Sequence, residues 1–457
     1  MDTTTATQHT THRHRYTRIL AWRRLHITDS GFILILALVV GILSGTGAWI
    51  LKYLIRYIST TTQEYIGASG IDWLIIIAPV AGITLAALFC RYVTHERVDN
   101  GVARMIDKFK NRDYRFDNKT IYGSMVASAL TLGFGGTAGS EGPIAYAGAG
   151  IGSRLGQILR IKPRMLMILT GCGAAAGIAG IFKAPIGGAL FAIEVLRVEL
   201  STVAIIGVFL ATLAASLTAY VLSGYTLDIN VISPGAFDNS TLPWTMLLGI
   251  ACGLYSLYYT HTGAITKRLL ASIHTPWIQW LASGLSIGLM IYIFPALYGE
   301  GYSSITNVIN GHPLSIADRS LLSLSVGNSH LTLIIICTGL ILLKGIGSSA
   351  TNNGGGVAGD FAPTLFAGCF LGLLYASALN SAGISTLDTS HYALIAMAGS
   401  MAGIIRAPLM SIFLTTEMIG GVDFLLPATI TSLISYSLVM IFKHDTFYHS
   451  HPFTSGI

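Results

Sequence analysis

The placement of charge constrains this chain more than any other feature. No Asp, Glu, Lys or Arg occurs from Gly31 to Leu51, from Trp73 to Cys90, from Leu200 to Leu227, from Ser240 to Thr266, from Leu321 to Leu343 or from Phe361 to Leu387. A helix needs about 20 mostly apolar residues to cross a bilayer, and several of these runs reach that length. Only 11% of the 457 residues are charged, against roughly 25% in a soluble protein. The mean hydropathy is +0.65. Too few charges remain to cover a water-facing surface of this size. A soluble enzyme, a disordered chain and a collagen-like chain are all excluded, and an all-α polytopic membrane protein is left.

The remaining composition narrows the class. The chain has 51 glycines, and glycine permits close helix contacts and broken helices that line a cavity. This points to a transporter or channel rather than an anchor. The net charge of +6 comes from a cluster at Arg13, Arg15, Arg18, Arg23 and Arg24 and from the stretch between Arg104 and Lys119. That distribution reads as a positive-inside topology signal, and no nucleic-acid partner is expected. Cys90, Cys172, Cys252, Cys337 and Cys369 are scattered in apolar stretches and read as small buried hydrophobes. No metal or other cofactor is expected. The first 29 residues are polar and basic, with no cleavage site before the first apolar run, and read as a cytoplasmic tail.

Three shorter apolar runs, Pro143–Ser153, Ala184–Ile193 and Pro408–Thr416, have the length of half-helices. The long run Leu269–Gly299 needs a bend, and Pro276 and Pro295 offer breaks.

Two motifs recur in the same order. GIAGIFKAPIGGALFAIE (Gly177–Glu194) and SMAGIIRAPLMSIFLTTE (Ser400–Glu417) share A-G-I-x-basic-A-P with a Glu nine residues after the proline, at an offset of 223. GSEGP (Gly139–Pro143) and GDFAP (Gly359–Pro363) share G-x-x-x-P at an offset of 220. A duplicated membrane unit is expected, as an inverted repeat with its site between the halves. Residues 30–228 and 229–448 would be the two half-repeats, between tails at 1–29 and 449–457.

Glu141 opens a short helix inside the membrane, where a carboxylate is costly and functional by default. A helix N-terminus has unpaired amides and attracts anions. A carboxylate beside it can occupy the anion's place and leave on protonation. Phe361 stands where Glu141 stands in the repeat, so its amide and that of Ala362 could face the same anion.

GSEGP, the two A-P segments and GDFAP, in this order, resemble the CLC family of chloride channels and chloride/proton antiporters, over roughly Arg18 to Tyr448. The resemblance implies an inverted-repeat membrane protein and a homodimer with one pore per subunit. It implies chloride or another small anion as the transported species, with protons as a candidate second one, and membrane lipid as surroundings. It makes Glu141 the gate, supported by Gly139, Ser140, Gly142 and Pro143, although many members have a basic residue where Ser140 stands. It places Phe361 and Ala362, with Gly359 and Pro363, at a second anion-binding helix start, and Tyr448 at the pore tyrosine.

Two departures matter. The family's first anion-binding loop reads G-S-G-I-P, and its counterpart here is Asp99–Ala103 (DNGVA), so Asn100 and Gly101 would take that place. Antiporters of the family usually carry a glutamate directly after the Glu of the A-P helix. Here Glu194 is followed by Val195, which cannot take a proton. The expectation is therefore channel-like or weakly proton-coupled anion transport. The alternatives are an antiporter with another internal proton path and a different inverted-repeat solute symporter. No hydrolase or P-loop motif occurs, so no enzyme is expected. Gly148, Gly150 and Gly152 imitate a dinucleotide fingerprint but read as close helix packing. The short chain suggests, by analogy, a prokaryotic cell membrane.

Overall fold

The computed structural model describes residue 26 and residues 28–95, 101–227, 229, 235–316 and 330–442. Sixteen α-helices run through them: α1 (Asp29–Ser69), α2 (Leu74–Phe89), α3 (Gly101–Lys110), α4 (Asn118–Gly133), α5 (Glu141–Ile158), α6 (Pro163–Phe182), α7 (Pro185–Leu190), α8 (Thr202–Leu222), α9 (Leu242–Ala271), α10 (Pro276–Ile293), α11 (Tyr302–Ile309), α12 (His330–Asn353), α13 (Phe361–Ser381), α14 (Thr389–Ile405), α15 (Pro408–Ile419) and α16 (Leu425–Phe442). Nine helical stretches among the described residues are long and apolar enough to cross a bilayer, and the protein is an all-α, multi-pass membrane protein.

α1 shows how the sequence sets these elements. Thr28 caps it, its hydroxyl accepting from the Gly31 amide at 3.2 Å, and Gly70 ends it in the left-handed conformation. Its 41 residues extend about 60 Å at 1.5 Å per residue, twice the roughly 30 Å of hydrocarbon. Buried residues recur at three- and four-residue steps from Ile33 to Ile55, Ile58 still packs on the core, and the turns that follow are largely exposed. The long run Leu269–Gly299 is broken where its prolines fall. Pro276 is the first residue of α10 and Pro295 opens a short 3-10 turn.

One expected half-helix is longer than its apolar run. The run Pro143–Ser153 is bounded by Glu141 and Arg154, but α5 takes in both and spans 18 residues. A helix tolerates charges at its first residue and on a half-buried face, whereas a count of uncharged residues does not. α7 and α15 are short, as expected, at 6 and 12 residues.

Close helix packing explains the glycines of α5. A Cβ on Gly148 would lie 2.1 Å from the Gly173 carbonyl oxygen of α6, and one on Gly152 would lie 2.1 Å from that of Leu169. Gly148 and Gly152 thus serve backbone-to-backbone contact, while Gly150 lies against the Ile121 side chain. The five cysteines are buried thiols. Large apolar residues such as Leu213 and Leu217 of α8 face outward, as a surface solvated by lipid requires.

The halves are related by reciprocal contacts. α6 ends at Lys183 (φ 56°) and α14 at Arg406 (φ 61°), the same motif position, both left-handed. Their amides donate to the Ala179 and Ala402 carbonyls. Each is followed by Ala-Pro, which forces an extended residue and then restarts a helix. Glu194 Oε2 accepts from the Met410 amide at 2.8 Å and Oε1 from the Leu409 amide at 3.3 Å, at the start of α15. Glu417 Oε1 and Oε2 accept from the Ile186 and Gly187 amides at 2.9 and 2.7 Å, at the start of α7. Each A-P helix is thus capped by the other's glutamate. Contacts that survive exchange of the two partners are the mark of a two-fold axis, here an internal one.

Candidate functional site

The two G-x-x-x-P motifs meet at this internal axis. The Gly139 amide donates to the Gly359 carbonyl at 2.8 Å, and the Gly359 amide returns the bond to Gly139 at 2.6 Å. α5 and α13 start from this pairing. Their first helical rings close at Ile144 to Ser140 and Thr364 to Asp360, both 3.1 Å. The amides of Glu141, Gly142, Phe361 and Ala362 precede those rings, while Pro143 and Pro363 have none to offer. Two positive helix ends therefore converge on one buried spot.

A third segment reaches the same place. A Cβ on Gly101 would lie 3.0 Å from the Gly142 carbonyl oxygen, and one on Gly142 would lie 3.3 Å from the Gly359 Cα and 3.6 Å from Val102. The start of α3 is thus pressed against the α5–α13 junction. Of the residues singled out from sequence, Gly101, Gly139, Ser140, Glu141, Gly142, Pro143, Gly359, Phe361, Ala362 and Pro363 come together here. Asn100 and Tyr448 lie outside the described residues. Phe361 is fully buried and packs edge-to-face on Phe191, ring centroids 5.9 Å apart.

Glu141 is 0% exposed. Its Oε1 accepts a hydrogen bond from the Tyr302 hydroxyl at 2.8 Å. Its Oε2 has no hydrogen-bond partner among the described residues. The carboxylate lies back over Gly139, where a Cβ would be 2.0 Å from Oε2; only glycine leaves that room. A buried carboxylate with one oxygen unsatisfied is a costly arrangement, and burying an unpaired polar atom costs about 1–3 kcal/mol or more for a charged group.

Four side chains around Glu141 escaped the sequence reading. Ser140 donates from its amide at 3.0 Å, and also from its hydroxyl, to Glu300 Oε1. Glu300 Oε2 pairs with Lys52 Nζ of α1 at 2.8 Å. The Lys52 ammonium also sits 4.2 Å from the centre of the Tyr302 ring. On the other side, the fully buried Lys344 of α12 donates to Thr137 Oγ1 at 2.9 Å and to the Gly299 carbonyl at 3.0 Å. Lys52 and Lys344 each stand one residue past the end of an uncharged run. A reading that uses charges as boundaries sees them only as fences.

The GDFAP motif carries its own polar knot. Asp360 is 3% exposed. Its Oδ1 accepts from Ser348 Oγ at 2.7 Å and from the Tyr259 hydroxyl at 3.4 Å, with Asn352 Nδ2 3.4 Å from both oxygens. Ser140 and Asp360 occupy equivalent places, and each ties its helix start to a different neighbour. Val195 is half-buried against the apolar core, and the Glu194 carboxylate faces the α15 amides.

The sequence profile of the voltage gated chloride channel family matches residues 81–440. The voltage-gated ClC-type chloride channel ClcB of Escherichia coli is 28% identical over 353 residues, 74% of this chain and 77% of that protein. A ClcB-like protein of Ralstonia nicotianae is 27% identical over 380 residues, 80% of this chain and 82% of that protein. Among solved structures, a slow cyanobacterial Cl−/H+ antiporter superposes with a TM-score of 0.76 at 21% identity, covering 91% of this chain and 96% of that one. A CLC-type fluoride/proton antiporter superposes at 0.73 with 24% identity, covering 93% and 98%.

Proposed function

Because the chain belongs to the voltage gated chloride channel family, we propose that it carries chloride or another small anion across the membrane through the α5–α13 junction, with Glu141 as the gate. One observation carries the reading: Glu141 is a fully buried carboxylate, one oxygen unsatisfied, at the convergence of two helix N-termini. An anion there is stabilised by aligned amides without a full positive charge. The ionised carboxylate competes for the same field, and the protonated one does not. The anion would be held by the amides of Gly142, Phe361 and Ala362 and by the segment at Asn100 and Gly101, with the Tyr448 hydroxyl as a further donor. Gly139 and Gly359 hold the two helix starts together, and Pro143 and Pro363 keep their first turns open. No catalytic chemistry is proposed.

The test is anion efflux from proteoliposomes. Glu141→Gln, fixed in the neutral form, should give a flux that no longer varies with pH, whereas the wild type should conduct faster as pH falls. A steep pH dependence retained by Glu141→Gln would remove it from the gate.

A second reading is proton-coupled exchange. It draws support from the antiporter neighbours in fold, and Val195 speaks against it because the usual internal carboxylate is missing. The halves at 30–228 and 229–448 serve as the two repeats of the pathway. As the resemblance implies, the protein would work as a homodimer in a prokaryotic cell membrane; light scattering in detergent at the mass of one chain would contradict the dimer.

A further inference from the structure

The group that touches the gate is not one of the anion-binding segments. The Tyr302 hydroxyl is the hydrogen-bond donor to Glu141 Oε1, at 2.8 Å. Tyr302 is the first residue of α11, set by the preceding Gly301 in the left-handed conformation (φ 85°), where a Cβ would lie 2.4 Å from the Phe366 ring. Its ring carries the Lys52 ammonium at 4.2 Å. That ammonium bonds Glu300 Oε2, and Glu300 Oε1 takes both polar hydrogens of Ser140, the residue before the gate. The contacts close a ring through Glu141, Tyr302, Lys52, Glu300 and Ser140. It draws on α1, α5, α11 and the turn before α11.

We propose that Tyr302 is a positioning residue that latches Glu141 in its closed place, and that the Lys52–Glu300 pair holds the latch. The proposal rests on Glu141 being the gate. The charged groups that face Glu141 are Glu300 from the turn, Lys52 from α1 and Lys344 from α12. A phenol donates more strongly to a carboxylate than to a neutral acid. The latch is therefore tight while Glu141 is charged and slackens when it takes a proton. Loss of the hydroxyl removes a bond that favours the charged, closed form.

The experiment measures anion efflux against pH for the wild type, Tyr302→Phe, Glu141→Gln and the double variant. Tyr302→Phe should move the pH of half-maximal flux upward by about one unit, and raise flux by up to about tenfold on the alkaline side of that midpoint, the size expected for one hydrogen bond to a charged group. The double variant should match Glu141→Gln, because a latch has no effect on a gate that is already neutral. A wild-type pH profile in Tyr302→Phe beside a flat one in Glu141→Gln would overturn the latch and leave the gate standing. A pH-dependent Glu141→Gln would overturn the gate and the latch with it. If Tyr302→Phe does not give monodisperse protein, Tyr302→Leu supplies the same arm: an upward shift supports the latch and an unmoved profile rejects it.

Discussion

Glu141 and Phe361 occupy the same place in the two repeats, and only one of them can hold a proton. Phe361 closes its site with an aromatic edge on Phe191. Glu141 closes its site with a charge that needs room over Gly139. That room makes a prediction. Gly139→Ala puts a methyl 2.0 Å from where Oε2 now lies, so the carboxylate must move while the Gly139 amide keeps its bond to Gly359. Flux should rise at neutral pH and lose much of its pH dependence, with a stability cost of about 1–3 kcal/mol for overpacking. An unaltered pH profile would show that the carboxylate does not need that position. Glu141 was legible from its motif because a carboxylate beside a proline-started helix inside an apolar stretch has few explanations. Tyr302, Lys52, Glu300 and Lys344 were not. They come from three places along the chain, and no spacing rule brings residue 52 beside residue 300.

At the level of elements, the A-P repeat announced two equivalent helices but not what joins them. The equal spacing of Glu194 and Glu417 from their prolines does not say what either carboxylate faces. Only the packing of α7 against α15 shows that each caps its partner. A bond from an amide to a carboxylate is worth about 1.5–3 kcal/mol. Glu194→Gln and Glu417→Gln should each lower stability by about 1–3 kcal/mol and by nearly equal amounts, since their contacts map onto one another. Thermal unfolding in detergent would measure both, and a large effect in one alone would contradict the equivalence. The helix boundaries were legible where prolines and caps stand, as at Pro185, Pro276 and Pro408. They were misplaced where a helix runs on through a charge, as at Arg154 in α5.

For the whole molecule, scarcity of charge was enough to call the membrane, and the two offsets were enough to call the duplication. The convergence of α3, α5 and α13 on one spot was not legible from residues alone, because it depends on glycine contacts between segments far apart in sequence. Proton coupling belongs at this scale, since it needs a continuous route across the protein. The reversal potential under crossed chloride and proton gradients should sit at the chloride equilibrium value. Val195→Glu should move it toward the proton gradient if the missing carboxylate is what limits coupling. An unmoved potential in Val195→Glu would place any proton route elsewhere.

The paired amides of Gly139 and Gly359 act as a rivet between the halves. Many carriers built from inverted repeats work by rocking one half against the other. Here such a stroke would break two short backbone bonds at the pivot and tear Glu194 and Glu417 from each other's helices, leaving buried donors with nothing to bond. The seam between the two halves is stitched by buried backbone bonds. Motion on the scale of a side chain, a few ångströms at one carboxylate, is then the cheapest way to open the path, and turnover need not wait for the two halves to swing.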